Sequence, residues 1–158
     1  MKKLPIVMPA AVLVTVILAL TTLFLSAKKP NVLFLMSDDL NTALSGFGHP
    51  QCKTPELDKL AERGLRFENM HCQYPVCGAS RASLMSGLYP YANGTLGNAG
   101  TLRGNMPNVV TMSQLFRKNG YRVGRVSKIY HMGIPPEILA GTATRDDPHS
   151  WDEVVNIK

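Results

Sequence analysis

The sequence predicts an α/β layered domain with a mostly parallel sheet, and three observations carry that expectation. An unbroken apolar run at 31–37 ends abruptly at Asp38-Asp39, as a strand covered on both faces does. Two amphipathic stretches, 54–64 and 109–119, have helical spacing and helix start and stop signals. A second strand pattern at 121–127 follows the latter, giving strand and helix in alternation. Taken in order, residues 40–53 hold Asn41, Ser45, Gly46, Gly48 and Pro50 and are expected as loop. Thr54 then offers a cap, Pro55 suits the first helical position, and Glu56 and Asp58 complement the positive end of the helix dipole. Leu57, Leu60 and Ala61 form one face, and Gly64 is the stop. Residues 65–70 alternate and are expected as a strand, and 79–88 as a helix ending near Gly87. The Gly-, Asn- and Pro-rich stretch 89–107 is expected as a long surface excursion. In the helix at 109–119, Val109, Met112, Leu115 and Phe116 are apolar, and Arg117-Lys118 precede the stop at Gly120. From Gly133 onward, Pro135-Pro136, Gly141 and Asp146-Asp147-Pro148 predict irregular structure.

The first thirty residues differ from the rest. Met1-Lys2-Lys3 is followed by 4–25 without a charge, then Ser26-Ala27 and Lys28-Lys29-Pro30. A basic start, an apolar run and small residues make an export signal, and the run is also long enough to span a bilayer. Residues 1–29 are therefore expected as a signal peptide or a membrane-anchoring hydrophobic helix, with the mature part periplasmic, extracellular or anchored facing outside the cytoplasm. The net charge of +6 shrinks once these lysines are set aside, leaving 13 basic and 11 acidic side chains in 31–158. So small an excess gives no footprint for nucleic acid. Three cysteines, Cys52, Cys72 and Cys77, leave at least one unpaired within the chain; a Cys52–Cys72 bridge would leave Cys77. Asn93-Gly94-Thr95 fits a glycosylation sequon.

Three features carry chemistry. Asp38-Asp39, at the C-terminal end of an expected strand, lies where open α/β sheets place ligands and offers two hard oxygen donors suited to Ca²⁺ or Mg²⁺. Two polar residues ending a strand in a turn is the plainer alternative. In Cys77-Gly78-Ala79-Ser80-Arg81, a cysteine opens a helix beside a cation, which suits a nucleophile or an anion site; a half-cystine is the alternative. Lys128-Ile129-Tyr130-His131 places a cation and an imidazole after a strand, fit to hold an oxyanion and protonate a leaving group, or simply to line a solvated loop.

Together these residues resemble the type I sulfatases. The resemblance runs through Pro30-Asn31-Val32-Leu33-Phe34-Leu35-Met36-Ser37-Asp38-Asp39, Thr54-Pro55-Glu56-Leu57-Asp58-Lys59-Leu60-Ala61, and Cys77-Gly78-Ala79-Ser80-Arg81 with Leu84-Met85-Ser86-Gly87. The sulfatase signature is Cys-x-Pro/Ala-Ser-Arg followed by a Leu-Thr-Gly-like tripeptide. This chain departs from it at Ser86, where Thr is usual, and at Leu88, where Arg is common. Asn119-Gly120-Tyr121, the run from Val126 to Gly133, and Asp146-Asp147-Pro148-His149-Ser150-Trp151 are most similar to the iduronate-2-sulfatase branch.

The resemblance implies an alkaline-phosphatase-like α/β sandwich with residues 30–158 as the N-terminal part of its catalytic domain. It implies oxidation of Cys77 to formylglycine by a formylglycine-generating enzyme, and a Ca²⁺ ion, with Mg²⁺ as an alternative, held by Asp38, Asp39 and residue 77. Arg81 would hold the hydrated aldehyde, Lys128 the sulfate, and His131 would assist at the nucleophile or the leaving oxygen. The implied function is hydrolysis of sulfate esters, with a sulfated glycan as substrate. The chain is expected as an N-terminal fragment that is inactive alone, because the family's remaining metal ligands come later. Asp146-Asp147 is expected to take no part in metal binding. Two alternatives stand beside this: a phosphonate or phosphate ester hydrolase of the same superfamily, and a non-catalytic, membrane-tethered anion-binding remnant.

Overall fold

The computed structural model describes Pro9 and residues 28–156. The chain divides into two units, Met1–Leu35 and Met36–Lys158. Among the described residues no helix is long and apolar enough to cross a membrane, and the leading hydrophobic helix expected at 1–29 is not found among them. The run at 4–25 on which that expectation rests lies, apart from Pro9, outside the described residues. In the first unit, Lys28 to Leu35 form no regular element, and Val32, Leu33, Phe34 and Leu35 are exposed, Leu33 by 82%. The strand expected at 31–37 is therefore not formed. Hydropathy reports a preference for burial, but a strand also needs a ladder partner for its N–H and C=O groups.

The second unit begins with a 3-10 turn, Ser45–Phe47, packed on α1, Pro55–Glu62. Pro55 opens α1 as expected, yet Thr54 does not cap it with its side chain. The Thr54 hydroxyl instead meets the Ser45 hydroxyl at 2.8 Å, and the Ser45 hydroxyl donates to Asp58 at 2.6 Å, tying loop to helix. The strand expected at 65–70 is also absent, with Leu65, Phe67 and Met70 exposed. Arg66 folds back, donating to the Gly46 carbonyl and lying 5.3 Å over the Phe47 ring. A side-chain anchor has replaced the pairing that the alternating pattern suggested.

The central helix is α2, Cys77–Ser86, closed by left-handed Gly87 (φ 70), whose N–H donates to Ser83 at 2.8 Å. Its buried face includes Ala79, Arg81, Ala82, Ser83 and Met85. Met85 alone, 1% exposed, contributes about 1.5–3 kcal/mol by leaving water. The stretch 89–107 is largely exposed, as its Gly, Asn and Pro content suggests, but it is not irregular throughout. It holds two short helices, α3 (Pro90–Asn93) and α4 (Leu102–Asn105), with Pro90, Asn93 and Leu102 buried. Asn93 is 1% exposed, and its Nδ2 donates to Ser83, Ser86 and the Leu88 carbonyl, so the sequon asparagine is spent inside the fold.

Helix α5, Met112–Lys118, starts later than the apolar pattern implies, because Thr111 and Gln114 form a reciprocal capping box. Strand β1, Gly124–Val126, follows, then α6, Pro136–Ala140, a 3-10 turn at Pro148–Ser150, and β2, Glu153–Val155. β1 and β2 pair in parallel, with Arg125 opposite Val154. The α/β class and the parallel pairing are thus consistent with the structure, while the strand that closes the pair lies in a stretch expected to be irregular.

Ala82, Met85, Leu102, Tyr130 and Trp151 form the core, with Met106, Val109, Met112, Val123 and Ile129 packed against it. Two acid–arginine pairs lock the segment before β2 to this core. Asp147 takes Arg103 at 3.1 and 2.7 Å and the Ser150 hydroxyl at 2.7 Å. Asp146 takes Arg125 at 2.7 Å and the Trp151 indole N–H at 2.9 Å. Burial alone would raise the Asp147 pKa, but its bonds from Arg103 and Ser150 hold it below the ordinary value. Both carboxylates therefore do structural work.

Candidate functional site

Residue 77 opens α2. The cap position is Val76, extended and without a side-chain acceptor, so the first N–H groups of the helix need partners from elsewhere. Asn98 supplies one, its Oδ1 accepting from Gly78 N–H at 2.9 Å and from the Cys77 thiol at 3.3 Å. This close approach requires glycine at 78, where a Cβ would stand 2.4 Å from the Gly97 carbonyl oxygen. On its other side the Cys77 sulfur lies 3.3 Å from His131 Nδ1. Cys52, Cys72 and Cys77 are all free thiols, so the half-cystine alternative is not realised.

One turn along α2, Arg81 is 5% exposed and donates from Nη1 to the carbonyls of Lys128 and Ile129, each at 2.9 Å. Its Nη2 donates to Asp38 Oδ1 at 2.9 Å, and Lys128 Nζ reaches Asp38 Oδ2 at 2.5 Å. The hydrogen bond from Lys128, joined by that from Arg81, outweighs burial and holds the Asp38 carboxyl below its ordinary pKa. Arg81 thus ties three segments together, much as a buried guanidinium with a planar fork of donors is suited to do.

Both partners of the Asp38–Lys128 pair adjoin unusual backbone. Asp39 (φ 53) and Ser127 (φ 57) are the non-glycine residues of positive φ among those described. Such a conformation costs a side-chain-bearing residue about 1–2 kcal/mol. At Ser127 the cost is met by two contacts: its N–H donates to Val155 O at 2.7 Å, and its carbonyl accepts from Arg125 at 2.7 Å. Beyond this turn, Tyr130 is buried in the core and its pKa is pushed up to about 12 by that burial, while its hydroxyl meets Ser150 at 3.2 Å. Lys128 and His131 flank this anchor and face Asp38 and Cys77. Burial, then the positive charge of Lys128, lowers the His131 pKa, leaving a neutral imidazole near pH 7.

The structure brings Asp38, Cys77, Arg81, Lys128 and His131 together, and leaves Asp39 exposed in its turn. Asn98, which sequence reasoning missed, joins them. Its only signal was membership of a Gly- and Asn-rich stretch, which is too common to mark a functional residue.

The metal expectation needs correction. Among the described residues no three His, Cys, Asp or Glu side chains gather where they could hold a metal ion. Both Asp38 oxygens are matched by cations, Arg81 and Lys128. Asp38, Asp39 and Cys77 thus do not gather into a metal-holding set among the described residues, and no chemistry is derived from one.

A buried arginine, a lysine and an imidazole thus gather around the residue that opens α2, on an α/β frame. The sulfatase family matches residues 30–136, and the chain belongs to that family. Arylsulfatase A of Bos taurus is 37% identical over 129 residues, covering 78% of this chain and 25% of that protein. Human (Homo sapiens) iduronate 2-sulfatase is 34% identical over 121 residues, covering 77% of this chain and 21% of the relative. The crystal structure of Ps i-CgsB superposes with a TM-score of 0.65 at 32% identity, covering 80% of this chain and 28% of that one. The chain is thus similar to sulfatases of more than one kind, without singling out the iduronate branch, and it spans about a quarter of the length of these relatives.

Proposed function

We propose that this chain carries the nucleophile and the anion-binding groups of a sulfuric ester hydrolase acting on sulfated sugars. The observation that carries the proposal is the convergence on one side of α2 of Cys77, His131, Lys128 and Arg81, drawn from segments up to 54 positions apart. Oxidised to formylglycine and hydrated, residue 77 would supply a hydroxyl nucleophile that can afterwards release the sulfate it has taken. The polar setting of the Cys77 sulfur, between the Asn98 amide and the His131 ring, suits such a group. Lys128 supplies positive charge for the sulfate oxygens, and Arg81 fixes the backbone that presents it. His131, neutral near pH 7, accepts a proton at Nδ1 from the group at position 77 and returns it to the leaving oxygen. Similarity to N-acetylglucosamine-6-O-sulfatase and to iduronate 2-sulfatase supports a sulfated-sugar substrate, and the basic start with its apolar run supports work outside the cytoplasm.

The test is turnover of 4-nitrophenyl sulfate and 4-nitrophenyl phosphate by a full-length protein that carries this chain, because the chain alone is expected to be inactive; it is made in a host with a formylglycine-generating enzyme, beside its Cys77→Ala variant. Intact mass verifies that one sulfur and two hydrogens have been exchanged for one oxygen. Sulfate turnover that Cys77→Ala abolishes is expected. Faster phosphate turnover would reassign the enzyme to phosphate esters, and sulfate binding without turnover of either ester would replace catalysis by anion binding.

A further inference from the structure

The two left-handed non-glycine residues, Asp39 and Ser127, adjoin the two ends of one ion pair, Asp38–Lys128. Positions 39 and 127 are far apart in sequence, yet each is next to a partner of the same contact. Backbone held in an unfavourable region persists only where its surroundings overdetermine it. At Ser127 the surroundings are explicit. Its carbonyl is held by Arg125, which is 5% exposed and is itself fixed by Asp146 and by Asn156 at 2.8 Å. Its N–H extends the β1–β2 ladder to Val155. From the next residue onward, the carbonyls of Lys128 and Ile129 pass to Arg81.

We propose that Ser127, gripped by Arg125, is a positioning residue: its left-handed turn at the end of β1 aims the Lys128 ammonium at Asp38 and so presets the charge at the mouth of the site. Asp39 performs the matching turn on the carboxylate side. An extended or right-handed residue at 127 would send Lys128 along the strand direction, away from Asp38. That Lys128 serves an oxyanion rests on the sulfatase reading; where Lys128 is placed does not, so the test measures the pair and not turnover.

The experiment is a double-mutant cycle of Asp38→Asn and Lys128→Met, read by urea unfolding of the full chain, repeated in Ser127→Gly and Ser127→Val backgrounds. Glycine adopts positive φ freely, whereas a β-branched residue does not. In the native and Ser127→Gly backgrounds the two substitutions should be non-additive by about threefold to tenfold in the unfolding equilibrium constant. In Ser127→Val the non-additivity should vanish while both single variants still unfold cooperatively. Ser127→Ala, less hindered, should fall between and serves if the valine variant does not fold. A purely structural role for Ser127 would lower stability in every arm and leave the coupling unchanged. Unchanged coupling in Ser127→Val, or in Ser127→Ala where valine does not fold, would overturn the proposal. Loss of sulfatase activity with the coupling intact would bear on the function alone.

Discussion

Replacing Gly78 by alanine sets two effects against each other whose magnitudes can be compared. Alanine is the better helix former by about 0.8–1 kcal/mol within a helix, and less than that in the first turn where residue 78 lies. Against this, the added Cβ would stand 2.4 Å from the Gly97 carbonyl oxygen, 2.8 Å from Asn98 Oδ1 and 3.1 Å from Asn98 Cα. Two of those three atoms are backbone, so no rotamer change relieves them. Either α2 or the 97–98 turn must shift, at about 1–3 kcal/mol for overpacking. The shift also stretches the Gly78 N–H bond to Asn98, which contributes a further fraction of about 0.5–1.5 kcal/mol. The clash wins, and Gly78→Ala should destabilise the chain by about 1–3 kcal/mol. Urea unfolding followed by far-ultraviolet circular dichroism measures this directly. Gly64→Ala is the control, since a Cβ there meets nothing nearer than 3.7 Å. If Gly78→Ala unfolds at the same or a higher urea concentration than the parent, the tight seat of α2 on Gly97-Asn98 is wrong, and with it the placement of Cys77.

Two further outcomes test the electrostatics. Arg125→Met strands the Asp146 carboxylate with only the Trp151 indole N–H, and should cost about 3–5 kcal/mol in the same unfolding assay; a loss within experimental error would show that the pair is not buried as described. His131 should titrate below 6.5 by NMR, chiefly through burial, and Lys128→Met should raise its midpoint; an unmoved midpoint would exclude Lys128 as a contributor. Because the folded chain holds the His131 proton less tightly than the unfolded one, its stabilising contribution is complete above pH 6.5 and declines as the pH falls below that value. The Asp38 contribution has its own window: it is present above 3.8 and lost as the pH falls through the lowered folded value.

The sequence alone determined much of what depends on local chemistry, although the Thr111–Gln114 capping box that starts α5 is a local signal it passed over. Pro55 and the acids behind it mark the start of α1, Gly87 and Gly120 mark the ends of helices, and the five residues from Cys77 to Arg81 identify the family before any atom is placed. Each of these signals acts within one or two turns of chain, where steric and hydrogen-bond preferences are set by immediate neighbours. What it misread depends on partners distant in the chain. The apolar run 31–37 and the alternating 65–70 have strand composition but form no ladder, whereas Glu153–Val155, in a stretch read as irregular, finds β1. Tertiary structure also decided where charge goes: Asp38 is matched by Arg81 and Lys128 rather than joined into a metal set, because a carboxylate's role is fixed by which charges reach it. Asn98 became part of the site for the same reason, since only folding brings it across the first turn of α2.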